Sequence, residues 1–396
     1  MTRYVIVGAG EAGIRAAASL RAAGEREIVV LSAEPIAPYE RPPLSKPPDP
    51  DRGLLRPIGV DLSGVELRLG CSARAIDRRA RTVELATGER IPYDRLLLAT
   101  GAKPRRLACP GGDRALLLRS SDDARAIHAR AEPGARAVIV GAGLIGLELA
   151  ATLRVRGLEV CVVELAARAL GRAVPAELAE RLVERHRAEG VLFLFGARLE
   201  AVEAGAVRLA DGTRLPADLV VAAIGVEPAT ELAEAADLAC ANGILVDSSL
   251  RTSDPAIFAA GDCAAVDHPR YGRVRFESWR MAGEQGRLAG RTMRGEAGEL
   301  TALPWFWSDQ WDLSLQVVGR CDPQRQAVLR ALGSPGLVRF ELDPTGGLAA
   351  AAALGPAGPV GRAIRLVERL IERGAVVPPS TLADPEADLR PFLRAP

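Results

Sequence analysis

Two stretches of the chain repeat the same order of apolar and polar positions. Residues 4–24 and 137–157 each begin with a β-branched apolar run, pass through a glycine-rich turn and end in a stretch rich in alanine, leucine and arginine. A further short apolar run follows each stretch, at 27–32 and at 159–165. The apolar runs predict buried strands and the stretches between them predict helices, so the pattern indicates two βαβ units.

A second pair of similar stretches follows the first. Residues 83–104 and 207–228 each predict a hairpin with a tight turn and then a buried strand that ends in glycine. We therefore expect two parallel-sheet nucleotide-binding domains that close with the same element. Farther on, the pattern predicts a helix at 280–293, and then strands from 303 to 353 and an amphipathic helix at 361–373. The strands from 303 to 353 and the helix at 361–373 indicate a separate C-terminal α+β domain.

The charge of the chain argues against nucleic acid as a partner. Its 51 basic and 50 acidic residues give a net charge of +1, whereas binding by phosphate neutralisation needs a basic surplus. The longest apolar stretch, residues 137–153, contains three glycines and Glu148 and is too short and polar to span a bilayer. The chain enters a predicted strand almost at once, which leaves no room for a signal peptide. We expect a cytoplasmic protein that does not enter the membrane.

Cysteine and histidine usage argues against metal and disulfide chemistry. The six cysteines are scattered without a C-x-x-C pair, which is not the pattern of a disulfide scaffold or a cysteine-rich metal site. None of the three histidines has the spacing of a metal ligand. We expect no bound metal and no chemistry based on histidine.

Each predicted strand–helix turn carries the pattern G-x-G-x-x-G. The glycines are Gly8, Gly10 and Gly13 in the first copy, and Gly141, Gly143 and Gly146 in the second. The alternative is that they only form tight turns, but the strand before and the helix after each copy favour a dinucleotide site. Such glycines allow the turn, close approach to a pyrophosphate and close helix–strand packing.

An acid at the end of the following strand would bind the adenosine ribose. Glu164 ends the second strand of the second copy, where a carboxylate accepts hydrogen bonds from ribose hydroxyls and favours NAD over NADP. A solvated surface glutamate is the alternative. In the first copy the nearest acid is Glu34, one position beyond the expected place, which Ala33 occupies.

A proline-rich loop after the first unit carries a rare lysine. Residues 38–46 read PYERPPLSK and contain Arg41 and Lys46, and Lys46 is one of only two lysines in the chain. A compact ammonium beside a flavin N5 would stabilise the reduced flavin, whereas a guanidinium is bulkier. A solvated loop lysine is an equally good interpretation of the residue alone.

Two further features fit either a flavin or ordinary structure. Asp262 follows a predicted strand and a glycine, where it would bind a ribityl hydroxyl or cap a helix. Trp305, Trp307 and Trp311 lie within seven residues in a chain with only four tryptophans. They would fill a core, or they would cover a flat ring and guide electrons.

These motifs together resemble a known family. The chain is similar to the FAD- and NADH-dependent ferredoxin reductases of bacterial Rieske dioxygenase and cytochrome P450 systems, through VGAGEAG, PYERPPLSK, LATGAKPR, VGAGLIGLELAATLR, AAIGVEP, GDCA, ESWRMAGEQG, LPWFWSDQWDLSLQVVG and LADPEADLR. The resemblance implies an α/β fold of the glutathione-reductase type, with two Rossmann-like dinucleotide-binding domains and a C-terminal α+β domain. The implied segments are 1–107 and 228–302 for FAD, 108–227 for NAD, and 303–396 for the C-terminal domain.

The resemblance also implies the residues of the site. Those expected to bind FAD are Gly8, Gly10, Ala12, Gly13, Glu34, Arg41, Lys46, Ala73, Thr100, Gly101, Arg119, Asp262 and Trp279. Those expected to bind NAD are Gly141, Gly143, Leu144, Ile145, Gly146, Glu148, Glu164, Arg168 and Gly225. The expected catalytic residues are Lys46, Glu148 and Trp307, with Trp307 as the aromatic side chain beside the flavin. The chain departs from the family at Ala33, where an aspartate is usual, and in the proline-rich segment 47–57, which is shorter.

The implied activity is hydride transfer from NADH to FAD, followed by single-electron transfer to a small [2Fe-2S] ferredoxin that supplies an oxygenase. A disulfide reductase would need a cysteine near the flavin, and residues 32–56 contain none. The other alternative is an NADH-sensing flavoprotein of the apoptosis-inducing-factor type, which acts through protein contacts with slow turnover. The oligomeric state is open, with a homodimer as one option.

Overall fold

The computed structural model describes residues 1–48, 53, 55–171 and 173–394. Within it the chain divides into two units. The first unit consists of Met1–Pro43, Asp49–Lys103 and Val226–Ala302; the second consists of Leu44–Pro48, Pro104–Gly225 and Leu303–Pro396. Part of the proline-rich segment 47–57, namely residues 49–52 and 54, lies outside the described residues.

The first unit is built on a five-stranded parallel sheet. Four of its strands are mostly apolar and buried, as in sheets covered on both faces, whereas the edge strand Glu66–Arg68 is polar at both ends and partly exposed. In spatial order they are Ile257–Ala259, Arg95–Leu98, Tyr4–Val7, Ile28–Leu31 and Glu66–Arg68. The sheet forms the main core of this unit.

Among the described residues, three smaller sheets and three α-helices complete the first unit. The small sheets consist of Ala73–Asp77, Thr82–Leu85 and Arg90–Pro92; of Cys240–Ala241, Gly243–Val246, Ala264–His268 and Gly272–Arg275; and of Ala102–Pro104 with Val226–Pro228. The helices are Glu11–Ala22, Glu231–Glu234 and Trp279–Met293.

Two of these helices cross closely because one of them presents glycines. A Cβ atom at Gly286 would overlap the backbone of Ala12, and a Cβ atom at Gly290 would lie 2.6 Å from the Cβ of Ser19. Only a residue without a side chain lets the helix backbones approach this far. The helix Trp279–Met293, which was expected at 280–293, is therefore fixed against the helix that follows the first glycine turn.

The second unit contains a parallel sheet of the same type. Its strands in spatial order are Leu192–Phe195, Glu159–Glu164, Arg136–Val140 and Leu219–Ala222. A three-stranded antiparallel sheet of Leu199–Glu203, Ala206–Leu209 and Arg214–Pro216 follows it. The helices of this part are Ser121–Arg130, Leu144–Val155 and Ala176–Ala188.

The rest of the second unit is a five-stranded antiparallel sheet with helices. The strands in spatial order are Trp305–Gln310, Leu313–Gly319, Leu348–Gly355, Leu337–Leu342 and Gln326–Ala331. The helices are Ala357–Glu372 and Pro379–Ala383. The first of them begins four residues before the expected start at 361. Pro359 does not prevent this, because a proline is tolerated in the first helical turn, where its missing N–H has no intrahelical acceptor.

The two predicted βαβ units are confirmed. The first consists of Tyr4–Val7, Glu11–Ala22 and Ile28–Leu31, and the second of Arg136–Val140, Leu144–Val155 and Glu159–Glu164. The strands within each unit are parallel. Among the residues that the structure describes, no helix combines the length and the apolar character needed to cross a bilayer.

Candidate functional site

In the first glycine turn, two glycines leave no space for a Cβ atom and the middle one does. Gly8 has a φ of +111°, and a Cβ atom there would overlap the carbonyl oxygen of Ala99. A Cβ atom at Gly13 would overlap the carbonyl oxygen of Gly8. Around the Cβ position of Gly10, nothing in the described structure beyond its chain neighbours lies within 4 Å. Packing therefore requires the outer glycines, and the middle one leaves the backbone exposed to a ligand.

The second glycine turn repeats this arrangement in the other unit. Gly141 has a φ of +108°, and a Cβ atom there would overlap the carbonyl oxygen of Ala223. A Cβ atom at Gly146 would overlap the carbonyl oxygen of Gly141, and Gly143 is open like Gly10. The two turns thus have the same geometry, and each unit has its own cradle.

Both cradles fit a dinucleotide. Neither Gly10 nor Gly143, the residues that precede the two helices, provides a side-chain cap in the described structure. The first-turn N–H groups of each helix have no intrahelical acceptor. A pyrophosphate fits such a position through its charge and its acceptor oxygens.

Glu164 lies against the second glycine turn. Its Oε2 atom accepts a hydrogen bond from the N–H of Ala142 at 2.7 Å, and its Oε1 atom accepts one from the N–H of Ala166 at 2.8 Å. Each oxygen keeps a lone pair for a further donor. The carboxylate is therefore held at the edge of the cradle, where a ribose with two hydroxyls could donate to it.

In the first unit a serine stands at the corresponding place. The N–H of Gly8 donates to the carbonyl of Leu31, as the N–H of Gly141 donates to the carbonyl of Val163. The residues that come next, Ser32 and Glu164, are therefore structural counterparts. Ala33, the expected place of the acid, is the next residue along the chain.

The acid nearest to this place in the sequence of the first unit, Glu34, is hydrogen-bonded to its own neighbours. Glu34 accepts hydrogen bonds from the hydroxyl of Tyr39 at 2.5 Å and from the guanidinium of Arg41 at 2.6 Å. Two predicted FAD residues, Glu34 and Arg41, thus form one ion pair that is about one-third exposed.

The guanidinium of Arg168 does not bond to Glu164. It donates to the carbonyl oxygens of Ala169, Gly171 and Val174 at 3.1–3.2 Å. Arg168 therefore holds the loop that follows Glu164. Gly225 lies after the strand that neighbours the glycine turn, and its carbonyl accepts a hydrogen bond from the N–H of Arg105 at 2.9 Å.

Two segments that contain predicted FAD residues pack on Ala12 in the first unit. A Cβ atom at Gly261, just before Asp262, would lie 3.1 Å from the Cβ of Ala12. The helix that begins at Trp279 packs on Ala12 through Gly286. Of the other predicted residues, Ala73 begins a strand of a small sheet, whereas Lys46 and Arg119 belong to the second unit.

Thr100 and Gly101 join two segments of the first unit. The hydroxyl of Thr100 donates to the carbonyl of Ala229 at 2.7 Å, and the N–H of Ala229 donates to the carbonyl of Gly101 at 3.0 Å. These bonds fix the strand end beside Ala99, which packs on Gly8.

Sequence reasoning missed two buried polar residues of the first unit. Gln285 is fully buried; its oxygen accepts a hydrogen bond from Gly261 at 2.8 Å, and its Nε2 atom has no partner among the described residues. Glu11 opens the first helix, and burial raises the pKa of its carboxyl although Arg15 lowers it. The acid directly after the second motif glycine was a visible signal for Glu11, whereas nothing local marked Gln285.

Lys46 and Glu148, two of the expected catalytic residues, form an ion pair in the second unit. The ammonium lies 3.1 Å from Glu148 Oε1 and donates to the carbonyl of Asp309 at 3.2 Å. The other carboxylate oxygen, Oε2, accepts from the hydroxyl of Ser45. Ser308 donates to Oε1 at 2.5 Å. Sequence reasoning missed both serines, although each lies inside a motif that it had noted.

Trp307 lies on the opposite side of its strand from Ser308. Successive side chains of a strand point to opposite faces, so Trp305 and Trp307 share one face while Ser308 and Gln310 share the other. The two indole rings stack at 5.3 Å with an angle of 26°. Both tryptophans are half-buried, whereas Ser308 and Gln310 are buried.

The cysteines offer no redox pair. All six are described by the structure and all are free thiols. Burial raises the pKa of Cys161 to about 11 and that of Cys321 to about 12, so neither thiol ionises readily. Within the described ranges, no group of three or more histidine, cysteine or acidic side chains is arranged to hold a metal ion.

The model of the pyridine nucleotide-disulphide oxidoreductase family matches residues 2–286. The chain belongs to this family. A second model, named reductase C-terminal, matches residues 305–393. The family confirms the predicted fold, in which a C-terminal domain follows two dinucleotide-binding domains.

Curated members of the family are similar to this one over most of their length. The ferredoxin–NAD(+) reductase component of the anthranilate 1,2-dioxygenase system of Burkholderia cepacia is 40% identical, over 98% of this chain and 99% of the relative. Putidaredoxin reductase of Pseudomonas putida is 37% identical, over 86% of this chain and 85% of the relative.

Solved structures of two ferredoxin reductases are similar to this chain. The ferredoxin reductase for the CYP199A2 system from Rhodopseudomonas palustris has a TM-score of 0.92 and 37% identity, with 99% of both chains covered. The reductase in the covalent putidaredoxin reductase–putidaredoxin complex has a TM-score of 0.90 and 34% identity, with 99% of this chain and 98% of that one covered.

Proposed function

We propose that this chain is an NADH-dependent, FAD-containing ferredoxin reductase that supplies a small ferredoxin serving an oxygenase. The observation that carries the proposal is the pair of equivalent dinucleotide cradles, of which only the second has a strand-end acid for a ribose. The sequence-based prediction of a ferredoxin–NAD(+) reductase with FAD and NAD(H) as cofactors is confirmed by the family and by relatives of that name.

The finer assignment gives FAD to the first unit and NADH to the second. In the first unit, the open backbone at Gly10, with Ala12, Thr100–Gly101 and Asp262 around it, would hold the FAD. In the second, the open backbone at Gly143 would hold the NADH pyrophosphate, and the fixed carboxylate of Glu164 would accept the ribose hydroxyls. The division into 1–107, 108–227, 228–302 and 303–396 belongs to the same proposal.

FAD, when bound, accepts two electrons as hydride and releases them singly. The residues of the chain have to orient the two nucleotides and stabilise the negative charge of the reduced state. Lys46 is suited to this, because its ammonium is only one-quarter exposed and is held by Glu148 and by the carbonyl of Asp309. A fixed charge in a partly buried site costs no reorganisation during the reaction.

Glu148 and Trp307 complete the proposed catalytic set. Glu148 receives donors on both carboxylate oxygens, so its carboxylate has one orientation and holds the lysine in place. Trp307, stacked on Trp305, presents a half-buried ring as the aromatic cover beside the flavin.

The proposal also includes a [2Fe-2S] centre in the ferredoxin, a homodimer of the reductase and a location in the cytoplasm. The six free thiols support the location, because reducing compartments keep cysteines unpaired. Sedimentation of the purified flavoprotein tests the homodimer, and the electron paramagnetic resonance of the reduced acceptor tests the cluster.

An anaerobic titration with NADH tests the function. We expect the flavin to be bleached by about one NADH per FAD, because no dithiol is present to take two further electrons. Candidate ferredoxins are then added, and rapid reoxidation of the flavin is expected with the correct one. Flavin that NADH reduces but that no one-electron acceptor reoxidises rapidly would support an NADH-sensing role instead.

A further inference from the structure

A series of buried hydrogen bonds connects His186, through the C-terminal strand Trp305–Gln310, to Glu148. The imidazole Nε2 of His186 lies 2.7 Å from the Oε1 atom of Gln310. The amide nitrogen of Gln310 donates to the hydroxyl of Ser308 at 2.9 Å, and this hydroxyl donates to Glu148 Oε1. His186, Gln310 and Ser308 are at most 2% exposed, and all of these residues belong to the second unit.

The carboxylate of Glu148 determines which group donates in each hydrogen bond of this series. A carboxylate only accepts, so the single proton of Ser308 points to Glu148, and the oxygen of Ser308 is left to accept from the Gln310 amide. The Oε1 atom of Gln310 then faces His186, whose Nε2 must carry the proton. Burial lowers the pKa of His186, which keeps the ring neutral and leaves its Nδ1 bare.

The same strand also contacts the lysine. The carbonyl of Asp309, between Ser308 and Gln310, accepts a hydrogen bond from Lys46. One strand therefore holds both members of the ion pair, Glu148 through a side chain and Lys46 through the backbone. Because these groups are buried, water cannot replace a hydrogen bond that is lost. Removing one side chain of the network therefore leaves the polar group of its neighbour without a partner.

We propose that Ser308 and Gln310, with His186 behind them, are positioning residues for the Lys46–Glu148 pair. The C-terminal sheet thereby acts in the NADH half-reaction. The inference rests on the proposed function, because it presupposes that Lys46 and Glu148 serve hydride transfer.

The test compares Ser308→Ala with Ser314→Ala in the FAD-containing protein. Ser314 is a matched control, because it is equally buried in the next strand of the same hairpin, and its only described side-chain bond is to Gln316. We expect Ser308→Ala to slow the reduction of the flavin by saturating NADH about tenfold, since a hydrogen bond to a charged acceptor is lost. The dissociation constant of NADH should stay within about twofold, because the glycine turn and Glu164 are untouched.

Two further variants separate positioning from damage to the fold. Ser308→Thr keeps the hydroxyl and should restore most of the rate, and Gln310→Met keeps Ser308 but removes the donor behind it and should slow the reaction less than Ser308→Ala. Flavin content and melting temperature show whether each variant is folded, and Gln310→Met serves as the test if Ser308→Ala is not.

The outcomes are distinguishable. If Ser308→Ala reduces its flavin as fast as Ser314→Ala, or if Ser308→Thr is as slow as Ser308→Ala, the positioning role is wrong. If the unmodified protein is not reduced by NADH at all, the proposed function itself fails. The two variants Ser308→Ala and Ser314→Ala should transfer electrons from the reduced flavin to the ferredoxin at the same rate.

Discussion

The two glycine turns of the chain are alike in backbone and different in what surrounds them. In both, the first glycine has a φ near +110° and the third cannot carry a side chain. The residue at the end of the next strand is Ser32 in the first unit and Glu164 in the second. The first helix opens with the buried acid Glu11, whereas the second opens with Leu144.

This difference teaches where selectivity resides in such a repeat. The glycines are dictated by contacts of backbone with backbone, so both copies must keep them to form a cradle at all. The strand end and the first helical turn meet the parts of a dinucleotide beyond its phosphates. They are free to differ, and we expect them to determine which nucleotide each cradle binds.

The largest expected effect comes from closing one cradle at a time. Gly13→Ala and Gly146→Ala each force a Cβ atom into a carbonyl oxygen, which costs about 3 kcal/mol. We expect Gly13→Ala to weaken flavin binding at least about 10²-fold, and Gly146→Ala to retain FAD while the KM for NADH rises by a similar factor. Absorbance of the purified protein and steady-state kinetics measure the two effects.

Gly59→Ala is the control for this pair. Gly59 is exposed, with nothing described within 4 Å of its Cβ position, and it should change neither property. Loss of FAD from Gly146→Ala alone, with Gly13→Ala retaining it, would reverse the assignment of the cradles.

The next effect compares the two lysines of the chain, one in each unit. Lys46 is paired with Glu148, whereas Lys103 is mostly exposed and paired with Glu231. We expect Lys46→Met to retain FAD but to slow its reduction by NADH about 10²-fold and to lower the flavin potential, because a fixed positive charge is removed. Rapid-mixing absorbance and a potentiometric titration measure these changes.

Lys103→Met is the matched control for the loss of a lysine charge. It should behave like the unmodified protein in both measurements. Equal rates and potentials in the two variants would mean that Lys46 is only a loop lysine.

A smaller effect is expected at the two acids near the cradles. Glu164→Ala should weaken NADH in kcat/KM about tenfold to a hundredfold and leave NADPH nearly unchanged, because charge-assisted bonds to the ribose are lost. Arg168 should not rescue NADPH, since its guanidinium is engaged by three carbonyl oxygens. Comparable kcat/KM for NADH and NADPH in the unmodified protein would contradict the role of Glu164.

Glu34→Ala gives the other half of this comparison. It should leave the preference for NADH unchanged and lower the affinity for FAD, because the partner of Tyr39 and Arg41 is removed. Equilibrium dialysis of the flavin and the ratio of kcat/KM for the two nucleotides distinguish the two acids.

The amino-acid sequence predicted the parts of the molecule that depend on local pattern. The apolar runs located the βαβ strands within one or two residues, and the glycine spacing located both cradles, since each is formed within about a dozen residues. Counting from glycine to the strand end succeeded for Glu164. In the first unit the corresponding residue is Ser32, which follows Gly13 by one residue more than Glu164 follows Gly146.

The surroundings of Lys46 depend on distant segments, so the sequence could not show them. Ser45 and Ser308 lie 103 and 160 positions from Glu148, and His186 lies 124 from Gln310. No periodicity connects such residues; only the fold does. The alternation of the WFWSDQ strand could have placed Ser308 and Gln310 on one face and the tryptophans on the other.

The smallest expected effect is a difference between the two units in how their stability depends on pH, because they contain different numbers of histidines. Burial lowers the pKa of His128, His186 and His268 below 6.5, so each ring is neutral in the folded protein. The unfolded chain takes up protons as the pH falls through about 6.5, and the folded chain does so only at lower pH. The stability that these rings contribute is therefore complete above pH 6.5 and is lost on acidification toward the folded pKa.

Two of these histidines, His128 and His186, belong to the second unit, and only His268 belongs to the first. Three of the four tryptophans also lie in the second unit, so thermal unfolding followed by tryptophan fluorescence reports mainly on it. We expect the stability measured by this transition to fall more than the stability of flavin binding as the pH falls from neutral through about 6.5. His128→Gln should flatten the pH dependence of the tryptophan transition, and His268→Gln should leave it as it is. A transition that is equally steep in both variants would mean that other groups cause the acid sensitivity, because a buried neutral ring cannot be removed without removing its linkage to pH.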